Sequence, residues 1–288
     1  HLFDAEKRSA FFDREFASKQ FDLLKKGEIS HLHPRDRIVL NILGDLPDGL
    51  RILDYGSGQG RLLAELLSRG YDAYGWEPST SMGEIANEHF VKKGQNRLFV
   101  GPDSLLEDIT REPYDVVLLM GITQYLSDEE LQMVFDRARS YLKPGGTLIC
   151  TFQNGLFDLF TFNKYTVDAV MNFLLGRLVP DDEQERLQSA LGDLLTRSDA
   201  PPHSDWRARD NIFVRLSNPL TIENELQSFG FEIDRRWFYE WFGVPPLLKE
   251  QFPDVSERIK ERFEVENAED WRGNFMANAF IVKATPAR

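Results

Sequence analysis

Asp54-Tyr55-Gly56-Ser57-Gly58-Gln59-Gly60 follows directly on the short run Arg51-Ile52-Leu53 and leads directly into Arg61-Leu62-Leu63, with Leu66 and Leu67 continuing one helical face and Gly70 beyond them. A brief apolar run bounded by glycines reads as a strand, and leucines at helical spacing closed by a glycine read as a helix. The stretch is therefore a strand, a glycine loop and a helix in succession. Glycines there let the backbone turn sharply and approach a ligand with no Cβ in the way. The helix N-terminus offers unpaired N–H groups and the positive end of its dipole to an anionic group. A dinucleotide fingerprint spaces its glycines G-x-G-x-x-G, and here the third glycine comes one residue early. A P-loop requires Gly-Lys-Ser/Thr, whereas Gly60 is followed by Arg61 and Leu62.

Outward from this unit the same pattern repeats. Strands are expected over 71–76, 97–100, 114–120 and 147–152, helices over 81–93 and 128–142, and a turn at Lys143-Pro144-Gly145-Gly146. Strands alternating with helices predict an α/β fold with a parallel, doubly wound sheet covered on both faces. Upstream, Phe11, Phe12, Phe16, Phe21, Leu23 and Leu24, then Ile38, Val39 and Ile42 after Pro34, predict an N-terminal helical cap over 1–47. The core occupies 48–153. Alternation stops at 154–214, where Phe157, Phe160, Phe162, Tyr165 and Phe173, an acidic helix with Leu187, Leu191, Leu194 and Leu195, and Trp206 predict an inserted helical lid, too long for a bare loop. Residues 215–288 complete the sheet, with a helix at 221–229, a strand at 231–241, a charged helix at 255–263 and a last strand at 275–284.

Composition narrows the function. Among 288 residues, 34 Lys+Arg stand against 47 Asp+Glu for a net charge of −13, a field that repels phosphate backbones and anionic lipid, so neither nucleic acid nor membrane is an expected partner. No run approaches the roughly 20 apolar residues of a membrane span, and Asp4, Glu6, Asp13 and Glu15 do not suit a signal peptide; a cytoplasmic location is expected. The single cysteine, Cys150, lies in an apolar run and reads as a small core residue, leaving no thiolate cluster, and no metal site is expected.

The next acid after a strand is Glu77, in Tyr74-Gly75-Trp76-Glu77-Pro78. A carboxylate at the C-terminal end of a second parallel strand is placed to accept both hydroxyls of a ribose. Together, Asp-x-Gly-x-Gly-x-Gly after the first strand and Glu-Pro after the second resemble the class I S-adenosylmethionine-dependent methyltransferases. Gly101-Pro102-Asp103-Ser104 follows the third strand, Pro113 to Met120 resembles the family's fourth, and Leu142 to Thr147 its entry into the fifth. The resemblance spans residues 50–152 and implies a seven-stranded Rossmann-like sheet whose last strand is antiparallel. It implies S-adenosylmethionine as cofactor and S-adenosylhomocysteine as product. Gly56, Ser57 and Gly58 would pass under the methionyl moiety, Glu77 would hold the ribose, and Trp76 and Pro78 would flank the adenine. Asp103 and Ser104 would meet the adenine edge, Met120, Gly121 and Ile122 the sulfonium side, and Asp54 would order the loop through backbone N–H bonds. A departure lies at Gln124-Tyr125, where many small-molecule members carry a histidine-containing stretch.

The reaction so implied is in-line methyl transfer to an oxygen or nitrogen atom of a small-molecule metabolite, with alignment and exclusion of water supplying much of the rate. An oxygen acceptor of high pKa needs a base; a carboxylate, phenolate or neutral amine reacts with positioning alone. Tyr125, just past the fourth strand, is the candidate for acceptor contact, and His33, with His31 and His203 as alternatives, for acid–base work. The insert's aromatics suit an apolar or aromatic acceptor, and Asp158, Asp168, Asp205 and Asp210 suit an amine or a hydroxyl-rich one. Aminopropyl transfer is disfavoured because Gly121-Ile122-Thr123-Gln124 carries no acid, and a nicotinamide dehydrogenase by the glycine spacing. The alternative from another class is a non-catalytic cofactor-binding regulatory or scaffold protein. A monomer or homodimer is expected.

Overall fold

The computed structural model describes residues 33–89, 97–171, 181–196 and 214–287. Its centre is a seven-stranded sheet of order β3-β2-β1-β4-β5-β7-β6, built from β1 (Arg51–Tyr55), β2 (Asp72–Glu77), β3 (Leu98–Val100), β4 (Tyr114–Leu119), β5 (Leu142–Gln153), β6 (Phe231–Trp241) and β7 (Ala277–Pro286). The first five are parallel, and β7 lies antiparallel between β5 and β6, as expected for the last strand. The chain runs outward from β1 through β2 to β3 and then returns to β4 on the other side of β1. The order thus reverses between β1 and β4, and a crevice opens at their carboxyl ends. The glycine loop and Met120-Gly121-Ile122 leave the sheet at that point.

Both faces of the central strands are buried, which is why they read as continuous apolar runs rather than alternating ones. One face carries Leu53, Val117, Leu119, Leu148, Cys150, Phe280 and Val282, covered by α5 (Asp128–Tyr141) and α8 (Ile222–Ser228). The other carries Ile52, Val116, Leu118, Ile149 and Ile281 under α1 (Pro34–Gly44) and α2 (Arg61–Ser68). Helix α1, expected as part of a cap, thus lays Ile38, Val39, Leu40, Ile42 and Leu43 into the core. The helices begin on local chemistry: Ser127 and Glu130 close a capping box on α5, and Pro34 at the first turn of α1 follows His33, whose Nδ1 accepts from Arg35 N at 3.2 Å. Gly70, with φ of 85°, ends α2 in the left-handed region as its sequence position suggested.

Two local expectations change. The Lys-Pro-Gly-Gly turn belongs to β5 itself: Tyr114 pairs with Leu142 and Val116 with Thr147, so residues 143–146 bulge against Asp115 alone. Lys143 Nζ reaches both Asp115 oxygens at 2.9 Å and ties the bulge back to β4. The last strand begins at Ala277 rather than 275, because α10 (Gly273–Met276) precedes it. Helices α3 (Thr80–His89) and α9 (Pro253–Glu266) fall where periodicity put them, and α4 (Ser104–Ile109) is an addition. In the insert, a 3₁₀ turn (Leu156–Phe160), α6 (Lys164–Ala169) and α7 (Asp181–Thr196) are helical. Its neck is closed by a bridge between Asn154 and Ser217, and the Asn154 amide donates to the carbonyls of Gly273, Asn274 and Ala277. No helix among the described residues is long and apolar enough to cross a membrane. The expected helices over 1–32, and His31, Phe173, His203, Asp205, Trp206 and Asp210, lie outside the described residues.

Candidate functional site

The glycine loop is built from three left-handed residues, Gly56, Gly58 and Gly60, with φ of 80°, 56° and 71°. A Cβ at Gly56 would stand 2.7 Å from Ile122 Cγ2, so glycine is what lets the loop lie against the segment after β4. The N–H groups of Gly56 and Ser57 donate to the Trp76 carbonyl at 2.8 and 2.9 Å, and that of Gly60 to Ser57 O at 2.9 Å. Gly58 N donates to Glu77 Oε2 at 2.7 Å, while Glu77 Oε1 accepts from Ser79 N at 2.8 Å. Glu77 is 7% exposed, so its two oxygens are fixed at the carboxyl end of β2, against the loop from β1.

These bonds correct the role expected for Asp54. The loop N–H groups go to Glu77 and to carbonyls, and Asp54 contributes its own carbonyl, to the Ser57 hydroxyl at 2.8 Å. The Asp54 carboxyl is buried against the loop and pushed up to about 7, chiefly by burial; Arg35 pulls it down, and Asp36 and Glu77 push it further up. The sign of its contribution to stability follows. With about 3.9 in the unfolded chain, the stabilisation is complete below pH 4 and is lost as pH rises from 4 through 7, an amount of about 4 kcal/mol. Asp54→Asn removes that slope, so the ligand-free variant matches the parent near pH 4 and melts higher than it at pH 8. Thermal unfolding at the two pH values checks this; identical pH profiles would refute it.

Of the other expected cofactor residues, Gly121 (φ 77°) donates its N–H to Thr151 Oγ1 at 2.7 Å, Met120 packs into the core under α1, and Ile122 touches the glycine loop. Asp103 precedes α4 and is joined to the loop indirectly: Arg137 NH1 donates to Asp103 Oδ2 at 2.6 Å and to the Tyr55 hydroxyl at 3.3 Å. The Tyr55 and Trp76 rings lie 4.7 Å apart in a tilted pair. Pro78 and Ser104 are exposed. Two buried atoms beside the loop and β2, Gln59 Oε1 and Trp76 Nε1, have no hydrogen-bond partner among the described residues.

At the same edge of the sheet a second group gathers. His33 Nε2 lies 3.1 Å from Glu240 Oε1, the His33 ring meets Tyr239 edge-on at 5.9 Å, and Arg35 directs Nε and NH2 to Asp36 Oδ1, each at 2.8 Å. A Cβ on Gly121 would stand 3.1 Å from Arg35 NH1, which places the guanidinium beside the segment after β4. Tyr125 belongs to a 3₁₀ turn (Thr123–Tyr125) there, and burial pushes its hydroxyl above the ordinary range. Both ring nitrogens of His33 are engaged, Nδ1 with the first turn of α1 and Nε2 with Glu240. The structure thus brings His33 and Tyr125 to one neighbourhood with Arg35, Tyr239 and Glu240, which the sequence reading passed over. The available signal was slight: Glu240 interrupts the aromatic stretch Trp237 to Trp241 of β6, and Asn278 stands near the start of the apolar first half of β7. Among the described residues no group of three or more His, Cys, Asp or Glu side chains is arranged to hold a metal ion.

A family model described as a methyltransferase domain matches residues 29–235. Among curated proteins, a ubiquinone biosynthesis O-methyltransferase of Chelativorans sp. is 26% identical over 156 residues, covering 52% of this chain and 60% of that protein. An uncharacterized methyltransferase of Geobacillus thermodenitrificans is 31% identical over 137 residues, covering 48% and 61%. The chain spans between 49% and 60% of the length of the three ubiquinone biosynthesis O-methyltransferases it matches first. Among solved structures, magnesium protoporphyrin IX methyltransferase from Synechocystis with bound S-adenosylhomocysteine superposes with a TM-score of 0.51 at 16% identity, covering 99% of this chain and 100% of that one. A putative methyltransferase of Haloferax volcanii, in complex with a methyltransferase activator, gives 0.53 at 12% identity with 97% of each chain covered. These likenesses are of fold.

Proposed function

The chain belongs to the class I S-adenosylmethionine-dependent methyltransferase family, and from that premise we propose that it moves a methyl group to an oxygen or nitrogen atom of a small-molecule acceptor by in-line displacement. The observation that carries the reading is the meeting of the glycine loop, Glu77 and Gly121-Ile122 where the strand order reverses between β1 and β4. The residues present fit the cofactor. Three glycines hold left-handed backbone that a side chain would strain, Glu77 offers two immobilised carboxylate oxygens to ribose hydroxyls, and Asp54 is a buried carboxyl that a further cationic group would stabilise as the anion. Trp76 Nε1 and Gln59 Oε1 are polar atoms that a bound polar ligand would satisfy.

When bound, the cofactor supplies an already activated methyl on a sulfonium. The chain's own part is to hold and orient. Arg35, beside Gly121 and within the field of Asp54, anchors a carboxylate at the methionyl end, and Asp54 faces the ammonium. Asp103, braced by Arg137, meets the adenine edge. Tyr125 contacts the acceptor, and His33 acts through Glu240. The ubiquinone-pathway names among the relatives favour an oxygen acceptor, and the net charge of −13 favours a small molecule over a nucleic acid.

The test is calorimetric titration of purified protein with S-adenosylhomocysteine and, separately, with NADH, followed by incubation with methyl-labelled cofactor and a metabolite extract. Micromolar binding of the first ligand alone and label on an extract component are expected. Binding without transfer to any component would favour the regulatory or scaffold alternative. Preference for NADH would end the reading.

A further inference from the structure

We propose that Glu240 is the specificity-determining residue of the acceptor site, and that the atom it selects for methylation bears a hydrogen, as a hydroxyl or an amine does, rather than belonging to a carboxylate. This rests on the methyltransferase reading above and adds the acceptor's chemistry to it.

The backbone of Glu240 is the first observation. It is a non-glycine residue with φ of 55°, in the left-handed region where side chains are disfavoured. In a regular strand Tyr239 and Trp241 would share a face. Instead Tyr239 packs in the layer under α1 while Trp241 joins Phe238 in the opposite layer. The left-handed residue resets the alternation, and the carboxylate emerges beside Tyr239 and His33, on the side of Arg35, with Glu264 of α9 also within its field.

The second observation is how the carboxylate is held. Among the described residues Oε1 takes His33 Nε2 at 3.1 Å and Oε2 takes Asn278 Nδ2 at 2.6 Å, while Gln153 Nε2 donates to the Asn278 side chain. Gln153, Asn278 and Glu240 sit on β5, β7 and β6 respectively, so a polar rail crosses the carboxyl edge of the sheet and ends at His33 on the start of α1. Each Glu240 oxygen keeps a second lone pair for a donor. The His33 and Glu240 side chains are 36% and 35% exposed, so the pair stands partly open to solvent at this edge rather than within the core.

The third is charge. Burial opposes ionisation of Glu240, but His33, Asn278 and Arg35 outweigh it and hold the carboxyl below its ordinary value, so it is anionic at neutral pH. The Arg35 guanidinium spends Nε and NH2 on Asp36, and its remaining NH1 lies beside Gly121, on the side proposed for the cofactor. A carboxylate acceptor would meet the charge of Glu240, whereas an O–H or N–H group meets two open lone pairs. Glu240 and Asn278 lie beyond residues 29–235, the part matched by the family model.

Three probes with one aromatic ring and different head groups test this: catechol, benzylamine and benzoate, titrated by ligand-observed NMR into protein saturated with S-adenosylhomocysteine. Catechol or benzylamine is expected to bind about tenfold or more tightly than benzoate, and the preferred one assigns hydroxyl or amine. Glu240→Gln, of the same shape, is expected to lower that binding about tenfold or more while S-adenosylhomocysteine binds as before. His33→Asn retains a helix cap and removes the Nε2 partner, and is expected to weaken the probe in the same direction with the fold intact. Equal or tighter binding of benzoate, no binding of any probe, or unchanged probe affinity in Glu240→Gln would each overturn the proposal. Loss of S-adenosylhomocysteine affinity in Glu240→Gln would overturn it too, since Glu240 would then serve the cofactor pocket. Failure of the parent protein to bind S-adenosylhomocysteine would overturn the cofactor reading itself, and this proposal with it.

Discussion

Gly58→Val is expected to lower the affinity for S-adenosylhomocysteine by about 100-fold or more while the protein remains folded. Two effects combine. Gly58 holds φ of 56°, where a side chain costs about 1–2 kcal/mol and a β-branched one more. The loop relieves that strain by shifting, and its N–H leaves Glu77 Oε2, the acceptor that registers the β1 loop against β2. A Cβ at this position would stand 3.5 Å from Met82 Cε, an ordinary contact, so the core is not overpacked and the damage stays in the cradle. Two methyl groups would then occupy the surface proposed for the ligand. Calorimetry together with thermal unfolding checks both halves of the statement. A melting temperature near that of the parent with undiminished binding would show that the loop does not form the site.

Arg35→Met is expected to destabilise the protein by about 3 kcal/mol at neutral pH, the usual consequence of stranding one member of a buried ion pair. Asp36 is 1% exposed, and Arg35 is the cation that meets its carboxylate. Arg35 also lowers the nearby Asp54 carboxyl, so its removal makes a second buried acid harder to ionise. The double variant Arg35→Met, Asp36→Leu is expected to regain most of the loss, because an apolar pair of similar volume replaces the charges without leaving either alone. Urea unfolding of the single and double variants measures the coupling; equal destabilisation in both would show that the loss comes from packing around Arg35 and not from the charge on Asp36.

The parts of this molecule that could be read in the sequence are those encoded by neighbours. Gly56, Gly58 and Gly60 alternate in one loop, the leucines of α2 repeat at helical spacing, and Glu77 ends a strand recognisable from its own residues, so the sheet and the loop proposed to cradle the cofactor follow from local patterns. Lys143 to Gly146 misled because Pro-Gly is turn chemistry wherever it occurs; only Asp115, on another strand, converts it into a bulge. The acceptor edge was less legible for the same reason. His33 and Arg35 come from the start of the described chain, Glu240 and Asn278 from its end, and they meet only because β7 and β6 close the sheet beside β5. Asp54 was misassigned because a loop-ordering carboxylate and one that faces an arginine look alike until Arg35 is placed.

The position of β7 inside the sheet bears on how the protein is made. During translation β6 is synthesised before the strand that pairs with it, and about 45 residues separate Trp241 from Pro286, a delay of roughly 2–9 s at ordinary elongation rates. For that interval the nascent polypeptide carries the edges of β5 and β6 unzipped, with Phe231, Phe238 and Trp241 lacking the Phe280 and Val282 layer that buries them. Closure of the sheet is therefore a late event, and the unfinished chain is the form most in need of a chaperone.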